Sequence, residues 1–342
     1  MSNKTADREL PPHAQLIRIG TAYWASQMLL TAARLELADR FEEKPKNAEE
    51  FAHELKLNPR AFYRFLRTLA GMGLLEETEN HMFTLSTLGE ALKKNAPGSA
   101  HATILTLAGD MCARSWDQLL YSLQTGETGL TKAFGQSLFK YLAAHPDEAA
   151  LFSETMVGFH GAEPPAVARA YDFDRFSSII DVGGATGNML VHILNEYREL
   201  RAVLFDLPHV VSGAPAFLEA QGIADRVSIE SGSFFDAVPA GHDAYILSHI
   251  IHDWDEERCI RILRNCRDAI DPNGQLLIVE MVLPEGNAPH PGQMLDMMML
   301  VGPGGQERTP TEYAELLAQA DFALTRVVPT GSDASIVEAT PR

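Results

Sequence analysis

Five short stretches of the sequence carry side chains able to do chemistry, and each closes an apolar run. Asp181-Val-Gly-Gly-Ala-Thr-Gly-Asn188 follows Phe176-Ser-Ser-Ile-Ile180, and Asp206 ends Ala202-Val-Leu-Phe205. Gly232-Ser-Phe-Phe235, Ser248-His-Ile-Ile-His252-Asp-Trp254 and Glu280 end three more. A strand that turns through glycines into a helix offers bare N–H groups and a helix N-terminus to a ligand. Gly183, Gly184 and Gly187 leave no Cβ to keep that ligand off the main chain. Asp181 can accept hydrogen bonds from an amine. Asp206 lies nineteen residues beyond Gly187, the spacing at which a carboxylate at the tip of the second strand holds both hydroxyls of a ribose. The histidines bring groups that move protons near neutral pH.

These groups need a scaffold that brings strand ends together. Strands are expected near 177–182, 202–206, 226–231, 243–249 and 275–281, with helices between them. That alternation predicts an α/β fold, a Rossmann-like, doubly wound, mostly parallel sheet whose ligand sits at the carboxyl ends of the strands. Phe322–Val328 and Ala334–Ala339 read as an antiparallel hairpin at the sheet's edge. A helix is expected to begin at Asp253, with Asp253 or His252 as its cap. His249, three residues before His252 on a strand, is expected to face the other side.

The bulk of the chain narrows the function. Its 342 residues are 46% apolar and 22% charged, enough for two folded domains. A net charge of −18 argues against nucleic-acid and anionic-membrane partners. No apolar run approaches the roughly 20 residues that span a bilayer, and the polar start MSNKTADREL lacks a signal peptide's apolar region. Residues 1–10 read as a frayed end. Cys112, Cys259 and Cys266 have no metal spacing; Cys259 and Cys266, seven apart, fall on one helix face as buried thiols. A cytoplasmic location is expected.

Before the sheet the patterns are helical. The segment around Trp24 is apolar nearly all round and needs cover from several sides, which predicts a second subunit. Asn47 and Asn58 read as caps of two helices, Gly71-Met-Gly73 as a stop, and 74–85 as two short strands. Together they make a winged helix-turn-helix. Arg60, Arg64 and Arg67 share one face of its second helix, so a DNA-binding regulator is a rival reading, set against the surrounding glutamates. Three domains are expected: 11–100, a winged-helix dimerisation unit; 101–171, a helical connector that contributes to the substrate pocket; and 172–342, the sheet. Trp116, Phe134, Phe139, Phe152, Met156 and Phe159 are candidates to close over a ligand.

Two cofactor classes compete for the glycine loop. A dinucleotide fingerprint needs glycines at the first, third and sixth positions, but counting from Gly183 the third and sixth are Ala185 and Asn188. The acid-x-Gly-x-x-x-Gly spacing instead resembles the S-adenosylmethionine loop of Rossmann-like methyltransferases. DVGGATG, LFDLP, GSFF, HIIHDWDEE, VEMVLP and GGQERT, in this order behind a winged helical domain, resemble the dimeric small-molecule O-methyltransferases of the caffeate, hydroxyindole, phenazine and polyketide type. The likeness runs from about Pro11 to Ala339.

That resemblance implies S-adenosylmethionine as cofactor, a small hydroxylated aromatic acceptor and a homodimer. It makes His252 the general base, with Glu280 and Glu307 bracketing it. A phenol has a pKa near ~10, so handing its proton to an imidazole as the oxygen attacks the sulfonium methyl removes charge build-up. A carboxylate on one ring nitrogen fixes the tautomer and stabilises the imidazolium. Asp181, Gly183, Gly184, Gly187, Asp206, Leu207, Ser233, Phe234 and Ser248 match cofactor positions, with Phe234 on the adenine. Met156, Asp253 and Met298 are expected in the acceptor pocket, and Met281, Met294, Met297 and Met299 add a soft apolar lining. Three positions depart from the family pattern. Ser233 replaces an acid, Ser248 a frequent Lys, and Ala185 a glycine. A relative that binds the cofactor and performs another reaction stays open as an alternative.

Overall fold

The computed structural model describes residues 10–41 and 44–342; of the expected frayed end only Leu10 falls within them. The chain forms two compact units, Met1–Ala113 with Pro146–Phe159, and Arg114–His145 with His160–Arg342. The stretch 101–171, expected as one connector, is therefore shared between the two.

In the first unit the expected caps are in place. Asn47 Oδ1 accepts the N–H groups of Glu49 and Glu50 and opens the helix Ala48–Glu54. Asn58 Oδ1 accepts from Ala61 and opens Pro59–Gly71, with proline in the first turn. Gly73, at φ +85°, makes the turn after it. The strands β2 (Leu75–Thr78) and β3 (Met82–Leu85) pair antiparallel, and a short β1 (Lys46–Asn47) joins β3 from the other side. Phe41, Phe51 and Phe62 pack edge to face at 5.3 and 5.5 Å and anchor the core. Arg60, Arg64 and Arg67 are exposed, and Arg67 lies 5.6 Å from the Tyr63 ring. The helices Pro12–Gly20 and Tyr23–Arg34 leave Leu16, Ile17, Ile19, Tyr23 and Trp24 between 60% and 71% exposed. Among the described residues nothing covers that apolar face.

The second unit holds a seven-stranded sheet. Its strands are β4 (Ser178–Val182), β5 (Arg201–Asp206), β6 (Val227–Ser231), β7 (Ala244–Ser248), β8 (Gln275–Glu280), β9 (Phe322–Pro329) and β10 (Ser335–Pro341), in the order β6-β5-β4-β7-β8-β10-β9. The first five are parallel; β10 runs antiparallel to β8 and pairs with β9 as the expected hairpin. The order in which the chain adds strands reverses between β4 and β7, which places the ligand crevice at their carboxyl ends. Ile179, Ile180, Ile246, Leu247 and Ile278 of the central strands are fully buried under helices on both faces. Cys259 and Cys266 lie buried in the helix Glu256–Ala269, as their spacing predicts, and Cys112 is buried as well. Among the described residues no helix is long and apolar enough to cross a membrane.

Candidate active site

The glycine loop leaves β4 with its carboxylate already desolvated. Asp181 is 1% exposed, and burial together with the nearby Asp206 pushes its carboxyl up to about 7. Its Oδ1 has no hydrogen-bond partner. Gly183 and Gly187 sit at φ +77° and +92°, and Ala185 at +51°. A Cβ on Gly183 would stand 2.5 Å from Ile250 Cδ1 and 3.4 Å from the Phe234 ring. One on Gly184 would stand 2.4 Å from Asp181 Oδ2. The glycines are therefore required by the convergence of β4, β6 and β7, beyond their use in turning.

Asp206 ties two strand ends together. Its Oδ2 accepts the Ala185 N–H (3.0 Å) and its Oδ1 the Leu207 N–H (2.6 Å). Burial raises its pKa against those two bonds. Each oxygen keeps a further lone pair, enough to accept from a diol. Ser233 Oγ accepts the Phe235 N–H (3.2 Å), a local turn that sets Phe234 beside the glycine loop. Phe234 and Phe235 both meet Trp254 edge to face, and Phe139 stacks on Trp254 at 5.0 Å. Of the expected cofactor positions, Leu207 is exposed and Ser248 half-buried at the end of β7.

After Ser248 the chain departs from the sequence expectation. His249 takes a left-handed backbone, φ +53°, and Ile251–Asp253 forms one turn of 3-10 helix. The long helix starts later, at Glu256, capped by Asp255 Oδ1 on the Arg258 N–H. Neither His252 nor Asp253 caps it, which leaves both side chains for other work. His252 is 5% exposed, and its Nδ1–H donates to Glu307 Oε1 (2.7 Å). Its Nε2 faces Asp253 Oδ1 at 3.7 Å, too long for a hydrogen bond. Burial opposes the imidazolium, but the Glu307 hydrogen bond and the charges of Asp253, Glu280 and Glu307 outweigh it. The His252 pKa is held well above the ordinary imidazole range.

Glu280 corrects one expectation. It does not touch the imidazole. Its Oε1 accepts the backbone N–H groups of Ile251 (2.7 Å) and His252 (3.1 Å), and its Oε2 accepts the Tyr313 hydroxyl. Glu280 places the main chain of His252, whereas Glu307 holds its ring. Glu307 is itself located by its N–H on Asp296 Oδ1 (2.9 Å).

A family model for an O-methyltransferase domain matches residues 116–323, and one for an O-methyltransferase dimerisation domain matches 17–95. The chain belongs to the O-methyltransferase family. It is 43% identical to the phenazine O-methyltransferase PhzM of Lysobacter antibioticus over 97% of both chains. The crystal structure of LaPhzM superposes with a TM-score of 0.92, covering 97% of this chain and all of the other at 43% identity. The crystal structure of NcsB1, an O-methyltransferase from neocarzinostatin biosynthesis in complex with S-adenosylmethionine and 2-hydroxy-5-methyl naphthoic acid, superposes at 0.79 with 29% identity, covering 93% and 96%. The family uses S-adenosylmethionine.

The residues of this O-methyltransferase fit that cofactor. The unpartnered Asp181 Oδ1 suits an ammonium, the glycine cradle suits a close-lying chain, and Asp206 suits a ribose diol. Sequence reasoning missed several groups that the fold brings to the site. Arg308, 2% exposed, donates to the carbonyls of Gln306 (3.2 Å) and Ile251 (3.4 Å) and carries the buried positive charge beside the acids. The GGQERT run contained that signal, but nothing in spacing tells an Arg of the core from one in solvent. Gly305 lies so close to the 252–254 loop that a Cβ there would meet the His252 carbonyl oxygen. Of the expected pocket residues, Asp253 flanks the His252 ring, and Met298 lies half-buried on Gly292–Val301, the helix that supplies Asp296. Met156 sits on Pro146–Phe159, a helix of the first unit. Met294 is 68% exposed, so the methionines do not form one lining.

Proposed function

We propose that the protein is a homodimeric, S-adenosylmethionine-dependent O-methyltransferase acting on a hydroxyl of a small aromatic acceptor, with His252 as general base. The observation that carries this reading is one sheet edge holding both halves of the chemistry. The Asp181–Asp206 cradle lies at the ends of β4 and β5, and the His252–Glu307 pair lies at the ends of β7 and β8. The cofactor supplies an electrophilic methyl group. Asp181, Asp206 and Phe234 hold its ammonium, ribose and adenine, with Gly183, Gly184 and Gly187 giving it room and Leu207, Ser233 and Ser248 flanking it. His252 Nε2 takes the acceptor's proton as the oxygen attacks, and Glu307 stabilises the imidazolium that forms. The reaction releases that proton to solvent when the product leaves.

Several further observations agree. The exposed Ile17, Ile19, Tyr23 and Trp24 lie within the segment that matches the dimerisation domain. The net charge of −18 and the exposed glutamates around Arg60 and Arg64 disfavour the rival of a DNA-binding regulator. Three unpaired buried thiols suit the cytoplasm.

The test is labelled-methyl transfer to a panel of phenols, hydroxyindoles, phenazines and hydroxynaphthoates. His252→Gln is the comparison, and calorimetry with S-adenosylhomocysteine and NAD is run alongside. Transfer should fall by on the order of 10²–10⁴ in the variant with S-adenosylhomocysteine binding retained. Tight NAD binding alone, or normal turnover by His252→Gln, would overturn the reading.

A further inference from the structure

Among the described residues four buried side-chain polar atoms have no hydrogen-bond partner: Ser122 Oγ, Asp181 Oδ1, Glu307 Oε2 and His249 Nδ1. Three of them belong to the strand ends of the site. A buried polar atom left unpaired costs about 1–3 kcal/mol, so atoms of this kind clustered at one sheet edge mark places where a ligand supplies the missing partner. Asp181 already has an occupant in the proposed cofactor, and Glu307 belongs to the base. His249 Nδ1 is unused by that mechanism.

The state of His249 is set by its other nitrogen. Its Nε2 lies 2.5 Å from Glu163 Oε2, and the same oxygen also meets His160 Nδ1 at 3.1 Å. Glu163 is 5% exposed; despite its burial the two imidazole N–H groups keep its carboxyl at about 2, so it accepts. With Nε2–H committed to Glu163, Nδ1 carries a lone pair and no proton. Burial holds the ring in this neutral form, against the carboxylate. The 2.5 Å separation also decides against a shared metal ion, because two ligands of one tetrahedral ion stand about 3.4 Å apart at ordinary bond lengths. At this separation the contact between Nε2 and Oε2 is a hydrogen bond.

The ring is 5.1 Å from that of His252, centroid to centroid, on the same loop. Two carboxylate-held imidazoles thus stand side by side. One has a free edge that takes a proton; the other has an acceptor nitrogen that cannot give one. We propose that His249 Nδ1 accepts a hydrogen bond from a second donor on the acceptor molecule, a hydroxyl or amino group neighbouring the one that is methylated. The enzyme therefore selects aromatic acceptors that carry such a pair, catechol-like or aminophenol-like, over those with a single hydroxyl. His249 is a specificity residue and Glu163 a positioning residue acting through it. The inference rests on the methyl-transfer reading for the meaning of the site, but its test does not.

Binding is measured by calorimetry with the S-adenosylhomocysteine complex, without turnover. The ligands are catechol, 2-aminophenol and 2,3-dihydroxynaphthalene, each against the analogue whose second donor is a methyl ether or hydrogen. Wild type should favour the two-donor member by about 10-fold or more, from the hydrogen-bond scale above. His249→Phe, which keeps a flat ring and removes the nitrogen, should bring that ratio to near one. His249→Asn, which restores an acceptor oxygen, should recover part of it, and Glu163→Gln should reduce it with His249 intact. If His249→Phe fails to fold, the Asn and Gln variants carry the same comparison. No preference in wild type, no binding of either member of any pair, or a ratio unchanged by these variants overturns the inference. Failure of methyl transfer with the binding preference intact would instead overturn the proposed reaction.

Discussion

Glu307→Gln separates a ring-holding carboxylate from a merely buried one. The side chain keeps its shape and can still accept the His252 Nδ1–H across 2.7 Å, but it loses its charge. A hydrogen bond to a charged partner contributes about 1.5–3 kcal/mol, and a neutral one about 1. The imidazolium therefore loses about 1–2 kcal/mol, which at about 1.4 kcal/mol per unit is roughly one unit of pKa or more. The direction follows from the active form. In the proposed mechanism the unprotonated ring accepts the phenolic proton, so kcat/KM should rise with pH through the His252 pKa, which the acids hold above the ordinary value near ~6.5. Removing the Glu307 charge should move that rising limb to lower pH by roughly one unit. The plateau should also fall about 10-fold, because the imidazolium forming in the transition state loses the same stabilisation. The assay is kcat/KM from pH 6 to 11 on a single acceptor, whose own ionisation is the same for both enzymes and drops out of the comparison. A limb that stays in place, or a plateau within twofold of wild type, refutes the role given to Glu307.

Two further outcomes follow from the geometry. In Gly305→Ala the new Cβ would stand 1.9 Å from the His252 carbonyl oxygen and 2.6 Å from Trp254 N, so the loop carrying the base must move. Overpacking of this kind costs about 1–3 kcal/mol, and a displaced base about 10²-fold in kcat; thermal melts and turnover check both, and a near-normal kcat would show that the loop yields without cost. Asp181, raised to about 7 when free, should ionise as an ammonium arrives. S-adenosylhomocysteine binding at pH 7 should then release about half a proton, read from binding enthalpies in buffers of different ionisation heat, and Asp181→Asn should abolish the release; an equal release in the variant sinks that assignment.

The sheet was legible because its strands are continuous apolar runs ending in glycines or acids, a pattern that survives without tertiary information. Asp181, Asp206 and Phe234 could be placed at one edge for that reason, before any coordinates. The loop after β7 could not. His249 breaks the strand with a left-handed backbone, a conformation that few non-glycine residues adopt and that the apolar run before it gives no sign of. The extra turn of 3-10 helix then delays the long helix until Asp255. Glu280 and Glu307 look alike in the sequence, yet one binds main-chain N–H groups and the other an imidazole. That difference lies in where a side chain points, which spacing along a chain does not encode. Glu163 and Arg308 went unread because the partners that bring them to the site, His249 and Ile251, are distant in sequence.

The path of the chain has a consequence for how the molecule is made. The helix Pro146–Phe159 belongs to the first unit, while the residues on either side of it belong to the second. Its Thr155 hydroxyl is buried against that of Thr106 at 2.7 Å. During synthesis the amino-terminal unit therefore cannot close when residue 113 emerges; it waits for a segment translated later. Until then the strip that Thr106 lines stays wet, and the nascent chain holds an unfinished core while the next unit begins. A fragment ended at residue 113 would stay in that unfinished state, and no single cut divides this polypeptide into two pieces that each inherit a whole unit.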